Sequence, residues 1–115
     1  MESQDTITIA PSVLIMMAQY AAIHVEGVSR TGNIPVDVIR MLRGQPMGSG
    51  IVLDLGPNQV GVDIYLVINP GSNMRETSIA VQQDVKRSIE ELVGMDVKYV
   101  NTHIEDVDFT PSESI

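Results

Sequence analysis

Histidines are the first residues to consider for acid–base or metal chemistry in this chain. There are only two, His24 and His103, and the sequence contains no HxxxH or HxH pair. A catalytic zinc ion normally takes three protein ligands, and the absence of cysteine excludes thiol catalysis and thiolate metal sites. We interpret both histidines as structural. The sequence therefore predicts no catalytic residue, no metal ligand and no cofactor-binding residue.

The carboxylates form one acidic run and one candidate pair. The run, residues 105–108, lacks the glycine and the alternating ligands of a calcium loop, so a solvated strand end is the favoured interpretation. Asp54 and Asp63 fall on the two strands of a predicted hairpin and could face each other across it. Paired carboxylates act as acid and base only in a pocket that splits their pKa values. Nothing near them in the sequence supplies such a pocket.

Three polar residues define the alternative function that we keep open. Tyr99, Asn101 and His103 alternate along a predicted strand and share one of its faces. They could line a small-ligand or metal site of a binding protein or enzyme. The glycine-rich segment 44–50 offers less, because it has no lysine and precedes a strand, so we predict a flexible loop rather than a phosphate-binding loop.

A basic segment interrupts an acidic chain. The formal net charge is -8, whereas residues 30–47 hold three arginines against Asp37 alone. We predict that this segment is a flap that docks a second copy of the chain or an acidic partner. The predicted partner-binding residues are Arg30, Arg40, Met41, Arg43 and Met47.

Length and composition limit the remaining classes of function. At 115 residues and 43% hydrophobic, the chain fits a single domain, with an ordered core expected over about residues 6–109. The acidic balance and the scarcity of aromatic residues argue against RNA binding and against an anionic membrane surface. No apolar run is long enough to cross a membrane, and the start of the chain does not read as a secretory signal. We therefore expect a cytoplasmic protein.

Hydrophobic periodicity and turn residues predict where the helices and strands lie. In chain order the predicted elements are a short strand at 6–10, a well-buried helix at 12–25 ended by Gly27, a short strand at 28–30, two helical turns at 36–43, a hairpin of strands 51–55 and 59–68, a helix from 73 to 92, and a strand from 97 to 109 with a bulge near 105–106. In the two-turn helix, Val36, Ile39 and Leu42 are predicted to point inward.

The predicted sheet has one apolar face, and each of the two long helices has an apolar stripe. Packing the stripes against that face buries all three, and this indicates the fold class. We predict an α+β two-layer sandwich, in which a mostly antiparallel sheet carries two main helices on one face. Val60, Val62, Ile64, Leu66 and Ile68 form the predicted inner face of the longest strand of the hairpin. Gly61, Asp63 and Tyr65 take the other, partly solvated face.

Five segments in order give the chain a resemblance to a known family. They are residues 7–11 leading into an Ala-rich helix, residues 25–28, residues 62–68 followed by Gly71, residues 81–94, and residues 100–107. Together they span most of residues 7–109, whereas residues 29–50 follow no pattern of the family. With these motifs the chain resembles the alkaline shock protein family, also called the general-stress or cell-envelope stress response family of bacteria.

The resemblance implies a small α+β fold without a known catalytic activity. It also implies cytoplasmic proteins, some of which are held near the membrane by a separate anchor protein and some of which self-associate. The resulting hypothesis is a non-enzymatic interaction or scaffold protein of the cell-envelope stress response, acting through self-association or a protein partner. Its expected partners are a second copy of itself and a membrane-anchored protein, with no nucleic acid and no direct membrane insertion.

Overall fold

The computed structural model of the chain describes residues 5–109. They form a five-stranded sheet with helices packed against it, which confirms the α+β fold. The elements in chain order are α1 (Pro11–Ile23), β1 (Val28–Thr31), α2 (Val36–Met41), β2 (Met47–Gly48), β3 (Ile51–Gly56), β4 (Gln59–Ile68), α3 (Met74–Leu92) and β5 (Asp96–Val107).

Strand β4 is the centre of the sheet. One of its edges pairs with β3 over residues 59–64 and then with β1 over residues 66–68, both antiparallel, and β2 extends the sheet beyond β3. Its other edge pairs with β5, which runs parallel to it. The parallel pairing follows from α3, a 19-residue crossover that carries the chain back to the start of β4 before β5 begins. The sheet is thus mostly antiparallel, as predicted, with one parallel pair.

The core lies between one face of this sheet and the two long helices. The five predicted inner residues of β4, from Val60 to Ile68, are all fully buried. They pack with Leu14 and Ala18 of α1 and with Val85 of α3 in one cluster. Alternation along a strand places every second side chain on the same face, so the pattern of β4 alone fixes which face the helices cover.

Helix α3 has the start and the stripe that the sequence indicates. The Asn73 side chain accepts a hydrogen bond from the Glu76 backbone N–H at 2.9 Å, which caps the first turn. Val81, Val85 and Ile89 are fully buried at helical spacing. The two ends of the predicted stripe, Met74 and Leu92, are exposed; Leu92 lies in a groove beside α1 and Met74 in a groove beside β5.

Helix α1 is less buried than the sequence predicts. It begins with Pro11 in its first turn, where the missing N–H costs nothing. Ala18, Ala21 and Ala22 are buried and allow the helix to lie close to the sheet and to α3. The predicted burial fails on the opposite side of the helix, where large apolar side chains are exposed.

Three local predictions between residues 6 and 50 are wrong. Residues 6–10 form no strand, because no strand of the described chain lies beside them. Helix α2 buries none of its residues, and Val36, predicted to point inward, is 60% exposed. The glycine-rich segment contains strand β2, which a two-residue turn joins to β3. In that turn Ser49 and Gly50 have φ of 55° and 77°, as a type I′ hairpin turn requires.

Two predictions about strand pairing have different outcomes. The bulge near residues 105–106 is confirmed, because Ile104 pairs with Leu66 whereas Asp106 pairs with Val67. Asp54 and Asp63 do not face each other, because Asp54 lies opposite Gly61 and Asp63 lies opposite Val52. The two carboxylates share a face of the hairpin but sit on a diagonal.

Candidate interaction surfaces

The outward side of α1 is apolar along its whole length. This surface, which we call the α1 outer face, consists of Val13, Met16, Tyr20 and Ile23. Met16 is 61% exposed and Tyr20 is 66% exposed. The helix contains no Asp, Glu, Lys or Arg, so no charged group interrupts the surface. Contiguous apolar surface of this kind is typical of interaction sites.

A groove of about 320 Å³ runs between the α1 outer face and the end of α3. This α1–α3 groove is lined by Val13, Met16, Met17, Tyr20, Ser88 and Leu92. Its methionines can adapt their shape to different apolar partners. On α3, exposed Glu91 precedes Leu92 and exposed Arg87 precedes Ser88. Arg87, however, is paired with Asp84 at 2.6 Å, so Glu91 leaves this side of the groove weakly acidic. The groove can therefore receive an apolar surface that carries positive charge at its edge.

The five residues predicted to bind a partner lie on α2, β1 and β2 and in the turn after α2. Arg40 and Met41 belong to α2, and Arg43 lies in the turn after it; all three are exposed. Arg30 lies on β1, where its guanidinium is 3.0 Å from the Asp108 carboxylate. Met47 lies on β2 and, with Ser12, Met16 and Gln19, lines a second shallow groove beside α1. The predicted partner-binding residues are thus spread over α2, the turn after it, β1 and β2, and their role in binding stays a prediction.

The open face of the sheet brings together the polar residues of the alternative hypothesis. His103 Nε2 lies 2.9 Å from Asp63 Oδ1, and the imidazole stacks on Tyr65 with ring centroids 4.5 Å apart. The His103 side chain remains 42% exposed. Neighbours within the sheet therefore hold the imidazole against the surface rather than directing it into a cleft.

Tyr99 packs flat on the same face. Its ring lies over Gly61, where an added Cβ would clash with the ring. The Tyr99 hydroxyl is 3.4 Å from Asp54 Oδ2, an atom that also pairs with Lys98 Nζ at 3.2 Å. Burial, the nearby charges of Asp63 and Asp54 and the hydrogen bond to Asp54 raise the pKa of Tyr99. The arrangement holds Tyr99 in its neutral form as a packing group.

Tyr65 is the buried member of this face. It is only 6% exposed, and burial, followed by the charges of Asp63 and Glu105, raises its pKa.

Within residues 5–109 no three His, Asp or Glu side chains come close enough together to hold a metal ion. Asn101, the third residue of the alternative hypothesis, lies on β5 and is exposed. The contacts of His103 and Tyr99 are those of a sheet surface with satisfied polar groups.

Sequence reasoning missed the α1 outer face. The wide apolar stripe of α1 predicts more burial than in a typical surface helix, because a stripe that extends beyond one face normally needs cover on more than one side. The signal that distinguishes the two cases is length: a 13-residue helix on a 115-residue chain has only one sheet layer and one neighbouring helix to cover it. An uncharged helix in so small a domain leaves one side without cover.

Comparisons with known proteins agree with the resemblance seen in the sequence. The model of the alkaline shock protein family, which is described by a "cell envelope-related function", matches residues 1–109. The chain is similar to "Uncharacterized protein YqhY" of Bacillus subtilis (strain 168), with 26% identity over 114 residues, 95% of this chain and 84% of the relative. It is also similar to "Uncharacterized protein YloU" of the same organism, with 25% identity over 107 residues, 90% of this chain and 89% of the relative.

Solved structures show a similar fold. The domain "MamM-CTD 215-293" superimposes with a TM-score of 0.53 at 9% identity, covering 84% of this chain and 99% of that one. A manganese form of MamM CTD gives a TM-score of 0.53 at 8% identity, with the same coverage. At such low identity the likeness concerns the fold alone. In the described part of this chain no helix is long and apolar enough to span a membrane.

Proposed function

This chain belongs to the alkaline shock protein family, which has a cell envelope-related function, and from that premise we propose that it is a non-enzymatic interaction protein acting in cell-envelope homeostasis. The observation that carries the proposal is the α1 outer face. Four large apolar side chains are exposed on a helix without charge. Leaving such a surface in water forfeits free energy of about 25 cal/mol per Å², and a binding partner would recover it.

The partner that fits the α1–α3 groove is an amphipathic helix of another protein. Two antiparallel helices form a groove of the shape that receives a third helix, whose apolar residues recur at helical spacing. The exposed Glu91 at the rim and the net charge of -8 favour a partner helix with basic flanks. A partner anchored in the membrane would hold this chain, which we expect to be cytoplasmic, at the periphery of the envelope.

A direct membrane surface fits the same face less well. Helices that lie on anionic membranes carry Lys and Arg beside their apolar face. Helix α1 has neither, and Glu91 borders the groove. The apolar surface therefore favours a protein partner over a lipid headgroup layer.

The alternative function on the Tyr99, Asn101 and His103 face has weaker support. His103 is engaged with Asp63 and Tyr65, and Tyr99 lies on Gly61 beside Asp54. A catalytic or ligand site needs polar groups that converge on an enclosed volume. The His103 and Tyr99 side chains instead bond to the Asp63 and Asp54 carboxylates on other strands of the sheet.

Binding of model helices tests the proposal. The probe is a short amphipathic peptide of about four helical turns with a leucine face and lysine flanks, titrated by fluorescence anisotropy against the intact chain. We expect saturable binding that weakens at least tenfold in the Met16→Lys variant, because a charge is then buried in the groove. The matched control, Gln83→Lys, makes the same kind of charge change on the solvent side of α3 and should bind like the native chain.

Two further titrations give the outcomes that would count against the proposal. The same peptide with glutamate flanks should bind more weakly than the lysine-flanked one. Anionic phospholipid vesicles should not bind the chain at the peptide's working concentration. Binding of vesicles but not of the peptide, or equal binding by Met16→Lys and Gln83→Lys, would exclude the groove as a helix-binding site.

A further inference from the structure

Residues 6–10 form an extended segment that reads as a strand without having one beside it. We call residues 6–10 the N-terminal arm. Threonine and isoleucine alternate along it, a pattern typical of β-strands. Ile7 is 88% exposed, and Ala10 continues the extended backbone up to α1 with φ of -65° and ψ of 140°. The arm thus has the composition and backbone of a strand but lacks a sheet.

Strand β5 offers a sheet edge that lacks a strand. Within residues 5–109, β5 pairs with β4 alone, so its outer edge presents unpaired backbone groups. Bulges interrupt its register near both ends, but Tyr99 to Ile104 pair with Gly61 to Leu66 without interruption. This regular stretch of the edge is long enough to pair with every residue of the arm. An unpaired edge of this kind is a template for an added strand.

A groove lies beside this edge on the side of the helices. The α3–β5 groove has a volume of about 480 Å³ and is lined by Met74, Arg75, Ser78, Ile79, Gln82 and Ile104. A strand added to the edge points alternate side chains to this side. Ile7 and Ile9 are two residues apart and would both enter the groove, where Ile79 and Met74 are exposed. Backbone pairing at an edge, with pockets for alternate side chains, is how strand-addition sites bind peptides.

The charges indicate the direction of the added strand. The side chains of residues 1–5 include two carboxylates, Glu2 and Asp5, and no cation. Arg75 is the charged residue that lines the groove, and it lies at the end where α3 begins and Ile104 stands. An arm running antiparallel to β5 places its acidic end next to Arg75 and its Ala10 end toward Tyr99.

The arm cannot occupy its own groove. Helices α1 and α3 run antiparallel, because Val13 shares a groove with Ser88 and Leu92 near the end of α3, while the chain after α1 shares another groove with the start of α3. The arm therefore starts near the last part of α3, between Ser88 and Leu92, and the α3–β5 groove centres on Ser78, at least 10 residues or about 15 Å away along α3 and on the other side of that helix. Five extended residues reach at most about 17 Å. The arm would also have to cross α3, a helix about 10 Å wide, so no residues would remain to pair with the edge of β5.

We propose that the N-terminal arm of one copy of this chain pairs with the outer edge of β5 in a second copy and places Ile7 and Ile9 in the α3–β5 groove. The inference rests on the proposed function, in which this chain is an interaction protein. It deepens that function by assigning a specific surface to self-association. That surface is separate from the α1–α3 groove.

Disulfide trapping tests the contact directly, because the native chain has no cysteine. One preparation carries Ile7→Cys and a second carries Ser78→Cys; they are mixed and oxidised mildly. We expect a disulfide-linked heterodimer that forms at least tenfold faster than with Gln83→Cys, an exposed position on the solvent side of α3, as the second preparation. Equal trapping rates for Ser78→Cys and Gln83→Cys would overturn the proposal. So would an intramolecular disulfide in a chain carrying both Ile7→Cys and Ser78→Cys.

Sedimentation of arm variants supplies the second measurement. Ile7→Ser with Ile9→Ser should weaken self-association at least tenfold, whereas Thr6→Ser with Thr8→Ser, which alters the other face of the same arm, should leave it unchanged. Both variants change exposed residues, so folding is preserved. If the isoleucine variant sediments like the native chain, or if the native chain stays monomeric, the proposed pairing of the arm with a second copy is wrong. Retained binding of the lysine-flanked peptide in that case would leave the proposed function standing.

Discussion

Helices α1 and α3 pack side by side on the same sheet, yet their solvent sides have opposite chemistry. Most exposed residues of α3 are polar, including Gln83, Lys86 and Glu90. Its exposed apolar residues, Met74, Ile79 and Leu92, line grooves at its flanks. The outward residues of α1 are apolar, with Met16 and Tyr20 the most exposed. Both helices hold the sheet through small or aliphatic inner residues, so the fold itself does not require the apolar exterior of α1. This difference is the basis of our proposal that α1 binds a partner in addition to packing on the sheet.

Truncation of one residue on each helix should give the largest contrast. Ile89→Ala on α3 removes a fully buried side chain and should lower the free energy of unfolding by about 3 kcal/mol. Met16→Ala on α1 removes a solvated side chain and should change it by less than about 0.5 kcal/mol. Urea denaturation of the two variants at low protein concentration measures both values. A comparable loss for Met16→Ala would mean that the α1 outer face is already covered in the isolated chain.

The helix starts should differ by a smaller amount. Asn73 caps α3 with its side chain, whereas Ala10 at the start of α1 cannot. Asn73→Ala should cost about 1 kcal/mol, and Ala10→Ser should recover about 0.5 kcal/mol because Ala10 already has the extended backbone of a capping residue. Thermal unfolding of both variants is the check, with Asn73→Ser as a control that keeps the cap. Destabilisation by Ala10→Ser would show that the start of α1 is constrained by something other than capping.

Alkaline pH should reduce stability slightly without changing the contrast between the helices. Tyr65 and Tyr99 have pKa values above the ordinary value of 10.0, chiefly because of burial. Above about pH 10 the unfolded chain loses protons that the folded chain keeps, so stability falls as pH rises through the folded pKa values. Urea midpoints at about pH 8 and about pH 11, on either side of the ordinary tyrosine pKa, measure the loss, which should shrink in Tyr99→Phe. An unchanged loss would remove Tyr99 as a cause.

The flap should contribute to assembly and almost nothing to stability. Arg40→Glu with Arg43→Glu alters exposed residues of an element that buries no side chain. We expect the free energy of unfolding to stay within about 0.5 kcal/mol of the native value, while sedimentation shows weaker assembly. Lys86→Glu with Arg87→Glu makes the same charge change on α3 and serves as the control. Unaltered sedimentation of the Arg40 and Arg43 variant would remove the flap from self-association and leave the pairing of the N-terminal arm with β5 as the proposed contact between copies.

The sequence predicts the elements whose residues alternate or recur over many positions. Strand β4 and helix α3 carry regular aliphatic patterns with turn or capping residues at their ends, so their extent and their inner faces follow from local rules. The bulge near residues 105–106 is likewise visible as a slip in the alternation. In these regions local preference and tertiary packing agree, which is why the fold class could be predicted.

The wrong predictions concern segments whose structure depends on a neighbouring element rather than on their own sequence pattern. Residues 6–10 have the pattern of a strand, but pairing needs a neighbour that the pattern does not supply. Strand β2 depends on Ser49 and Gly50 both adopting positive φ, which a glycine-rich composition also permits in a disordered loop. The orientation of Val36 and Met16 is set by how far the sheet extends. Interaction surfaces depend on the same kind of information, so none of them could be predicted in full.

The unpaired edge of β5 has a consequence for solvent access at the level of single amides. Along a strand, successive N–H groups point to opposite sides, so only alternate amides between Tyr99 and Ile104 are bonded to β4. Deuterium uptake in the isolated chain should therefore rise and fall with a period of two along this strand. If a second copy pairs with this edge, the amides that exchange fast should slow until they exchange at about the same rate as the amides bonded to β4.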